Sequence, residues 1–199
     1  MKQSQIKTKR LLLRPWRDSD FPIFAEMNAD PKVMEFFPFL LSREESDNFA
    51  LATMDHFEKR GWGNWAVSEL NGSDFIGYIG LRYIDFPAPF TPAVEVGWRL
   101  AYDYWNKGYA TEGALAALQY GFTILNLEEI ISFTSKHNLR SIAVMKKIGM
   151  MHNEIDDFDH PKLPPGHWLG RHVLYRLNRA KWIEQHDKDA SNKNQKIDS

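Results

Sequence analysis

The sequence predicts one α+β domain built around a mixed β-sheet. Residues 62–100 carry three strand-like segments joined by turns, the mark of consecutive antiparallel strands. From residue 108 the apolar period changes, and a β-α-β-α-β run follows, which asks for helices against a sheet. With 199 residues, 43% of them hydrophobic, the chain can bury one sizeable core and needs no second domain.

Residues 10–14, with three leucines between two arginines, read as the first strand. Asp18-Ser19-Asp20 supplies N-cap side chains for a helix to about Met27. Asp30-Pro31 restarts the chain towards a second, short helix. Ser42-Arg43-Glu44-Glu45 is a capping box, in which Ser42 accepts from the third helical amide while Glu45 reaches back. A long helix to about Lys59 is the expectation. Strands over 62–70, 75–84 and 94–100 follow, with Asn71-Gly72 as a tight turn between the first two. A helix is expected over 108–125, a β-branched strand over 129–135, an amphipathic helix over 138–148 and a strand over 150–156. A loop rich in proline and histidine, 157–170, leads to a last strand over 171–177. The domain is therefore drawn at 1–180, and the nearly apolar-free stretch 186–199 is expected as a disordered tail.

A formal net charge of -1 gives no reason to expect a nucleic-acid partner. No stretch approaches the ~18 uninterrupted apolar residues of a membrane helix, and the first residues lack the apolar core of a signal peptide, so a cytoplasmic location is expected. Cysteine is absent, which excludes disulfides, thiolate metal sites and a cysteine nucleophile. Four late histidines, His152, His160, His167 and His172, show no helical metal spacing, so no metal is expected.

The segment Trp105-Asn106-Lys107-Gly108-Tyr109-Ala110-Thr111 joins a predicted strand to a predicted helix. Unpaired amides and the dipole at a helix start favour an anion there. Gly108 removes the Cβ from the ligand's path, Ala110 keeps the next turn small, and Lys107 adds a positive charge. An ordinary helix start with a glycine in its lead-in accounts for the same residues. The spacing matches neither a P-loop nor the three-glycine dinucleotide turn, which speaks against ATP and NAD.

These residues resemble the GNAT superfamily of acetyl-CoA-dependent N-acetyltransferases, and within it the branch that acetylates the N-termini (alanine or serine) of ribosomal proteins. The superfamily signature is glutamine or arginine, two residues, glycine, one residue, then glycine or alanine. Trp105-Asn106-Lys107-Gly108-Tyr109-Ala110 departs from it only at the first position, where that branch often shows an aromatic residue. Asn138-Leu139-Arg140-Ser141, with Lys147-Ile148-Gly149-Met150 after it, resembles the family's second block, and the leucine-rich stretch at 8–15 resembles the branch's first strand. Asn138 is also a plain N-cap residue.

The resemblance implies a GNAT fold with two splayed parallel strands, here 94–100 and 129–135. It implies acetyl-CoA as co-substrate, its pantetheine arm against the backbone of Trp98 and Leu100 and its phosphates on residues 105–111. Asn138 and Ser141 would complete the cofactor site, and an amine acceptor would enter from the opposite side for direct transfer in a ternary complex.

Aminolysis of a thioester needs a neutral amine, a polarised carbonyl and a protonated leaving sulfur. Strand alternation sets Glu95, Gly97 and Arg99 on one face. Glu95, beside a glycine and at a position where many family members hold an acid, is the first candidate base, a structural ion pair being its plain alternative; Glu69 is the second. Many members take their general acid from a tyrosine four residues before the glycine that ends the second block. Met145 stands there, so the resemblance to the ribosomal-protein branch moves that role to Ser141. Phe36-Phe37-Pro38-Phe39, Trp62, Trp65 and the 157–170 loop are candidates for an acceptor pocket, or for plain packing. Met145 also keeps open an idle acyl-CoA-binding sensor or scaffold. A protein N-terminus, a polyamine, an aminoglycoside and an amino-acid-like amine all remain as acceptors.

Overall fold

The computed structural model describes residues 4–195. Among them, nine strands form one sheet in the order β1-β2-β3-β4-β5-β6-β9-β7, with β8 paired to β9. They are β1 Ile6–Lys7, β2 Leu11–Arg14, β3 Asn64–Glu69, β4 Gly77–Ile84, β5 Ala93–Leu100, β6 Glu129–Ser135, β7 Met151–His152, β8 Phe158–Asp159 and β9 Arg171–Asn178. Every pairing is antiparallel except β5 with β6. The helices are α1 Asp20–Ala29, α2 Arg43–Arg60, α3 Tyr109–Thr123, α4 Leu139–Lys147 and α5 Arg179–Gln195. This is the expected α+β domain with a mixed sheet.

Helices lie on both faces. The rings of Trp16 and Phe24 and the α2 residue Ala50 pack with Ala66 and Tyr78 on one face. Ala114, Ala117 and Leu118 of α3 pack with Ile79, Leu81 and Val96 on the other. Ile79, Leu81 and Val96 have no exposed surface, and each such side chain contributes about 1.5–3 kcal/mol by leaving water.

The capping box forms as its sequence requires: Ser42 accepts from the Glu45 amide, and the Glu45 side chain accepts from the Ser42 amide. At α1 the cap differs from the expectation. Ser19 makes no side-chain cap bond, and Asp20 instead accepts from the Arg17 amide at 2.8 Å. Asp20 also receives two bonds of 2.7 Å from the guanidinium of Arg14, so this helix start is tied to β2 by a fully buried ion pair.

Several expectations are corrected. The short helix after Asp30 is a series of turns, because the Asp30 side chain takes the Lys32 amide and closes a local turn. The strand expected over 150–156 survives only as β7, since Asn153 accepts from the Ile155 amide and opens a 3-10 turn over Glu154–Asp156. A further helix, α5, continues from β9 as far as Gln195. Its start is anchored: Trp182 packs on Phe122, and Gln185 donates to the Gly149 carbonyl at 3.0 Å. Residues 196–199 lie outside the described residues. No helix among the described residues is long and apolar enough to cross a membrane.

Candidate active site

The parallel pair β5/β6 is in register at one point, Glu95 opposite Ile131. Beyond that point the strands part, and a cleft of about 1220 Å³ opens between them. The Ala101 amide donates to the Ile76 carbonyl, so odd-numbered residues of β5 bond β4 and even-numbered ones turn their backbone groups towards the gap. Trp98 and Leu100 are therefore the residues whose amides and carbonyls face it. The Leu100 carbonyl already accepts from the Trp105 indole at 2.8 Å.

At the open end lies the strand-to-helix turn. Asn106 has φ 58° and Gly108 φ 78°, both left-handed, which brings the chain sharply into α3. The first helical bond runs from the Glu112 amide to the Gly108 carbonyl at 3.0 Å, so the amides of Tyr109, Ala110 and Thr111 have no partner within the helix. All three residues line the cleft, with Trp105, Asn106 and Gly108. Adjacent amides at a helix start, with no Cβ on Gly108, fit a pyrophosphate.

An arginine that sequence reasoning did not single out fixes this turn. Arg10 donates to the Lys107 carbonyl at 2.8 Å and to Glu112 at 2.6 Å, and its guanidinium lies 4.5 Å from the centre of the Tyr109 ring. The Lys107 side chain behaves otherwise than expected: its ammonium rests over the Tyr104 ring at 5.1 Å, and Lys107 does not line the cleft.

The opposite wall is the start of α4. Asn138 accepts from the Ser141 amide at 3.1 Å and donates to Thr134 at 3.2 Å, pinning the helix to the end of β6. Both Asn138 and Ser141 line the cleft. Met145 is packed in the core at 1% exposure, so this position is a wall of the cleft with no proton to give.

Glu95 reaches the cleft beside Gly97, where an added Cβ would meet only Glu95 itself, at 3.9 Å. Its carboxylate bonds Arg82 at 2.8 Å across the β4–β5 ladder. Burial pushes the Glu95 carboxyl above the usual carboxylate range, and Arg82 opposes that push without cancelling it. Glu69 is placed differently. It accepts from the Tyr109 hydroxyl at 2.5 Å, a bond that holds it below the ordinary range, and it does not line the cleft. A low pKa makes a weaker base.

Of the aromatic candidates, Phe36, Phe37, Pro38 and Phe39 line the cleft, as do His160, Leu163, Pro164 and His167 of the late loop. Trp65 does not: it is fully buried, edge-on to Phe57 and Tyr120. Trp62 packs against His56, away from the cleft. Among the described residues no group of three or more metal-binding side chains comes together. Sequence reasoning placed Arg99 on the face of Glu95 but gave it no part; it lines the cleft at 7% exposure.

A family model described as an acetyltransferase (GNAT) domain matches residues 10–151. The chain is 32% identical over 177 residues to the uncharacterized N-acetyltransferase YnaD of Bacillus subtilis, covering 89% of this chain and 98% of that one. It is 31% identical over 190 residues to the FsC-acetyl coenzyme A-N(2)-transacetylase of Aspergillus fumigatus, covering 91% of this chain and 79% of that one. The crystal structure of an acetyltransferase (GNAT family) from Bacillus anthracis superposes with a TM-score of 0.73 at 28% identity, covering 89% of this chain and 99% of that one.

Proposed function

This chain belongs to the GNAT family of acetyltransferases, and from that premise we propose that it transfers the acetyl group of acetyl-CoA directly to a primary amine in a ternary complex. One observation carries the reading. The amide cradle of residues 109–111, the splayed strand edge at Trp98 and Leu100, and the side chains of Glu95 and Ser141 all open into one continuous cleft.

The cradle would hold the pyrophosphate, with Trp105, Asn106, Gly108 and Asn138 shaping the walls around the cofactor. The outward amide and carbonyl of Trp98 would pair with the pantetheine arm as a strand neighbour does. Glu95 would take the proton from the incoming ammonium, and its raised pKa suits a base working near neutral pH. The hydroxyl of Ser141, at the start of α4, would give a proton to the departing sulfur. The ribosomal-protein-like assignment within the family rests on the first strand, on Trp105 and on the use of Ser141 in place of the tyrosine position held by Met145.

A catalytically idle acyl-CoA binder would share the cradle but has no use for a carboxylate raised by burial. Release of free CoA, measured with a thiol reagent, separates the two readings, and the cysteine-free chain leaves no background thiol. Release that depends on an added amine is the expected result. Tight acetyl-CoA binding without release, across peptide N-termini and small amines, would leave the idle binder standing.

A further inference from the structure

One end of the cleft holds a charge with no counterpart among the described residues. Arg99 projects from the same face of β5 as Glu95 and Gly97 and is 7% exposed. Among the described residues, its one side-chain hydrogen bond runs from Nη1 to the amide oxygen of Asn28, at 2.6 Å. Its Nε is buried with no acceptor, and no carboxylate among the described residues pairs with it. The rings of Phe37, Phe49 and Tyr78 surround the guanidinium, with Phe37 at 3.9 Å. Burying an ion costs far more than rings and one neutral amide return, and an arginine cannot escape by losing its proton at neutral pH. Nε is itself enclosed, so a ligand carboxylate would meet the guanidinium at Nη2, which has no hydrogen-bond partner among the described residues and is not enclosed, on a side chain that lines the cleft.

The rest of the cleft has the same bias. Glu95 is the one acidic residue among the described residues lining it, and Arg82 already pairs with that carboxylate. Arg99, Lys147 and Lys162 line it as well, together with Arg140, which is paired with Glu35 outside the lining. A polyamine or an aminoglycoside would bring several positive charges into this surplus. Along β5, at about 3.3 Å per residue, Glu95 and Arg99 flank the open space over Gly97 from either side. The pair is complementary to a molecule that presents an ammonium at one end and an anion at the other.

We propose that the acetyl acceptor is an amino-acid-like amine whose carboxylate is bound by Arg99. The proposal rests on the reading of this cleft as the acceptor site, and it limits the ribosomal-protein likeness to sequence and fold, since a protein N-terminus carries an amide where this acceptor carries a carboxylate. Arg99 acts on acceptor binding and leaves the acetyl-CoA cradle untouched.

The test is a matched panel read by CoA release. It contains α- and ω-amino acids from glycine to 6-aminohexanoate and the twenty coded amino acids, each beside its amide and its decarboxylated amine, with spermidine and an aminoglycoside as polycations. The expected result is at least a tenfold preference in kcat/KM for one or more acids over the matched amides. In Arg99→Gln that preference collapses towards unity through a higher KM for the acid, while acetyl-CoA affinity is unchanged; in Arg99→Lys it is partly kept. Equal use of acids and amides by the wild type, or a preference for spermidine or the aminoglycoside, overturns the proposal and leaves the acetyltransferase reading intact. A preference that survives in Arg99→Gln also overturns it. A second readout needs no turnover: calorimetric titration of phenylacetate into the CoA-saturated protein. Binding that is lost in Arg99→Gln supports the proposal, and absence of binding to the wild type counts against it even if no acceptor in the panel is acetylated.

Discussion

Arg82 and Glu95 stand directly opposite each other on β4 and β5, and their side chains meet at 2.8 Å. Arg82 keeps half of its side chain in water, whereas Glu95 is nearly covered. The guanidinium stabilises the carboxylate, but burial acts more strongly and raises its pKa. The pair thus describes a carboxylate that is held in place and still able to accept a proton.

Glu95→Gln keeps the size of the side chain but cannot accept a proton, so turnover near neutral pH should fall. A single general base is worth about 10²–10⁴-fold. Raising the pH should recover part of the loss, because more of the acceptor amine is already neutral. Ser141→Ala should lose turnover without that recovery. In the wild type, the acid limb of kcat/KM should lie above the ordinary carboxylate range. Pairing pH–rate profiles of the three proteins checks this; losses below about threefold in both variants would remove both residues from the chemistry.

Gly108→Val should abolish acetyl-CoA binding. An added Cβ would stand 3.4 Å from the Arg10 guanidinium that braces the turn, so a branched side chain should disturb the amide cradle, and φ 78° places a non-glycine residue in the left-handed region at a cost of about 1–2 kcal/mol. The melting temperature should drop by a few degrees while the fold persists. Lys107→Ala should be much milder, since that ammonium rests on Tyr104. Calorimetric titration decides it: unchanged affinity in Gly108→Val would remove the cradle from the cofactor site.

Asp20→Asn should destabilise the protein by about 3–5 kcal/mol, because it leaves Arg14 charged and buried at 1% exposure with its main partner gone. Denaturant unfolding measures this directly. A loss under about 1 kcal/mol would mean that Ser68 and the carbonyls of Pro15 and Asp74 suffice to hold the guanidinium.

His160 is held at a pKa of about 4, first by burial and then by His172, Lys162 and Arg82. In the unfolded chain it returns to about 6.5. The unfolded state therefore binds more protons between those values, so the stabilising contribution present above pH ~6.5 is lost as the pH falls towards 4. His172 is lowered by burial as well and acts in the same direction. Melting temperature followed from pH 7.5 to 4.5 should decline, and the decline should be shallower in His160→Phe. Parallel curves for the two proteins would contradict the assignment.

Much of this chain was legible because local physics decides it. The Ser42–Glu45 capping box, the Asn138 cap and the bounds of β6 at 129–135 follow from side chains within four residues and from apolar period. The same local grammar misled where a short side chain competed with the regular pattern, as Asn153 did at the 3-10 turn. It is also silent on what anchors the start of α5, since Phe122 and Gly149 lie far back in the chain.

Alternation along β5 determined that Glu95, Gly97 and Arg99 share a face, and the passage from strand to helix start at 105–111 was readable from the residues alone. What alternation could not supply is what comes to meet that face. Asn28 reaches Arg99 across 71 residues, Arg10 reaches Glu112 across 102, and the Tyr109 hydroxyl withdraws Glu69 across 40. Whether a carboxylate's pKa is raised by burial or lowered by a donor, and whether an arginine is solvated or stranded among rings, depends on the dielectric and partners around it. Packing of distant segments sets those, and only the tertiary structure holds them.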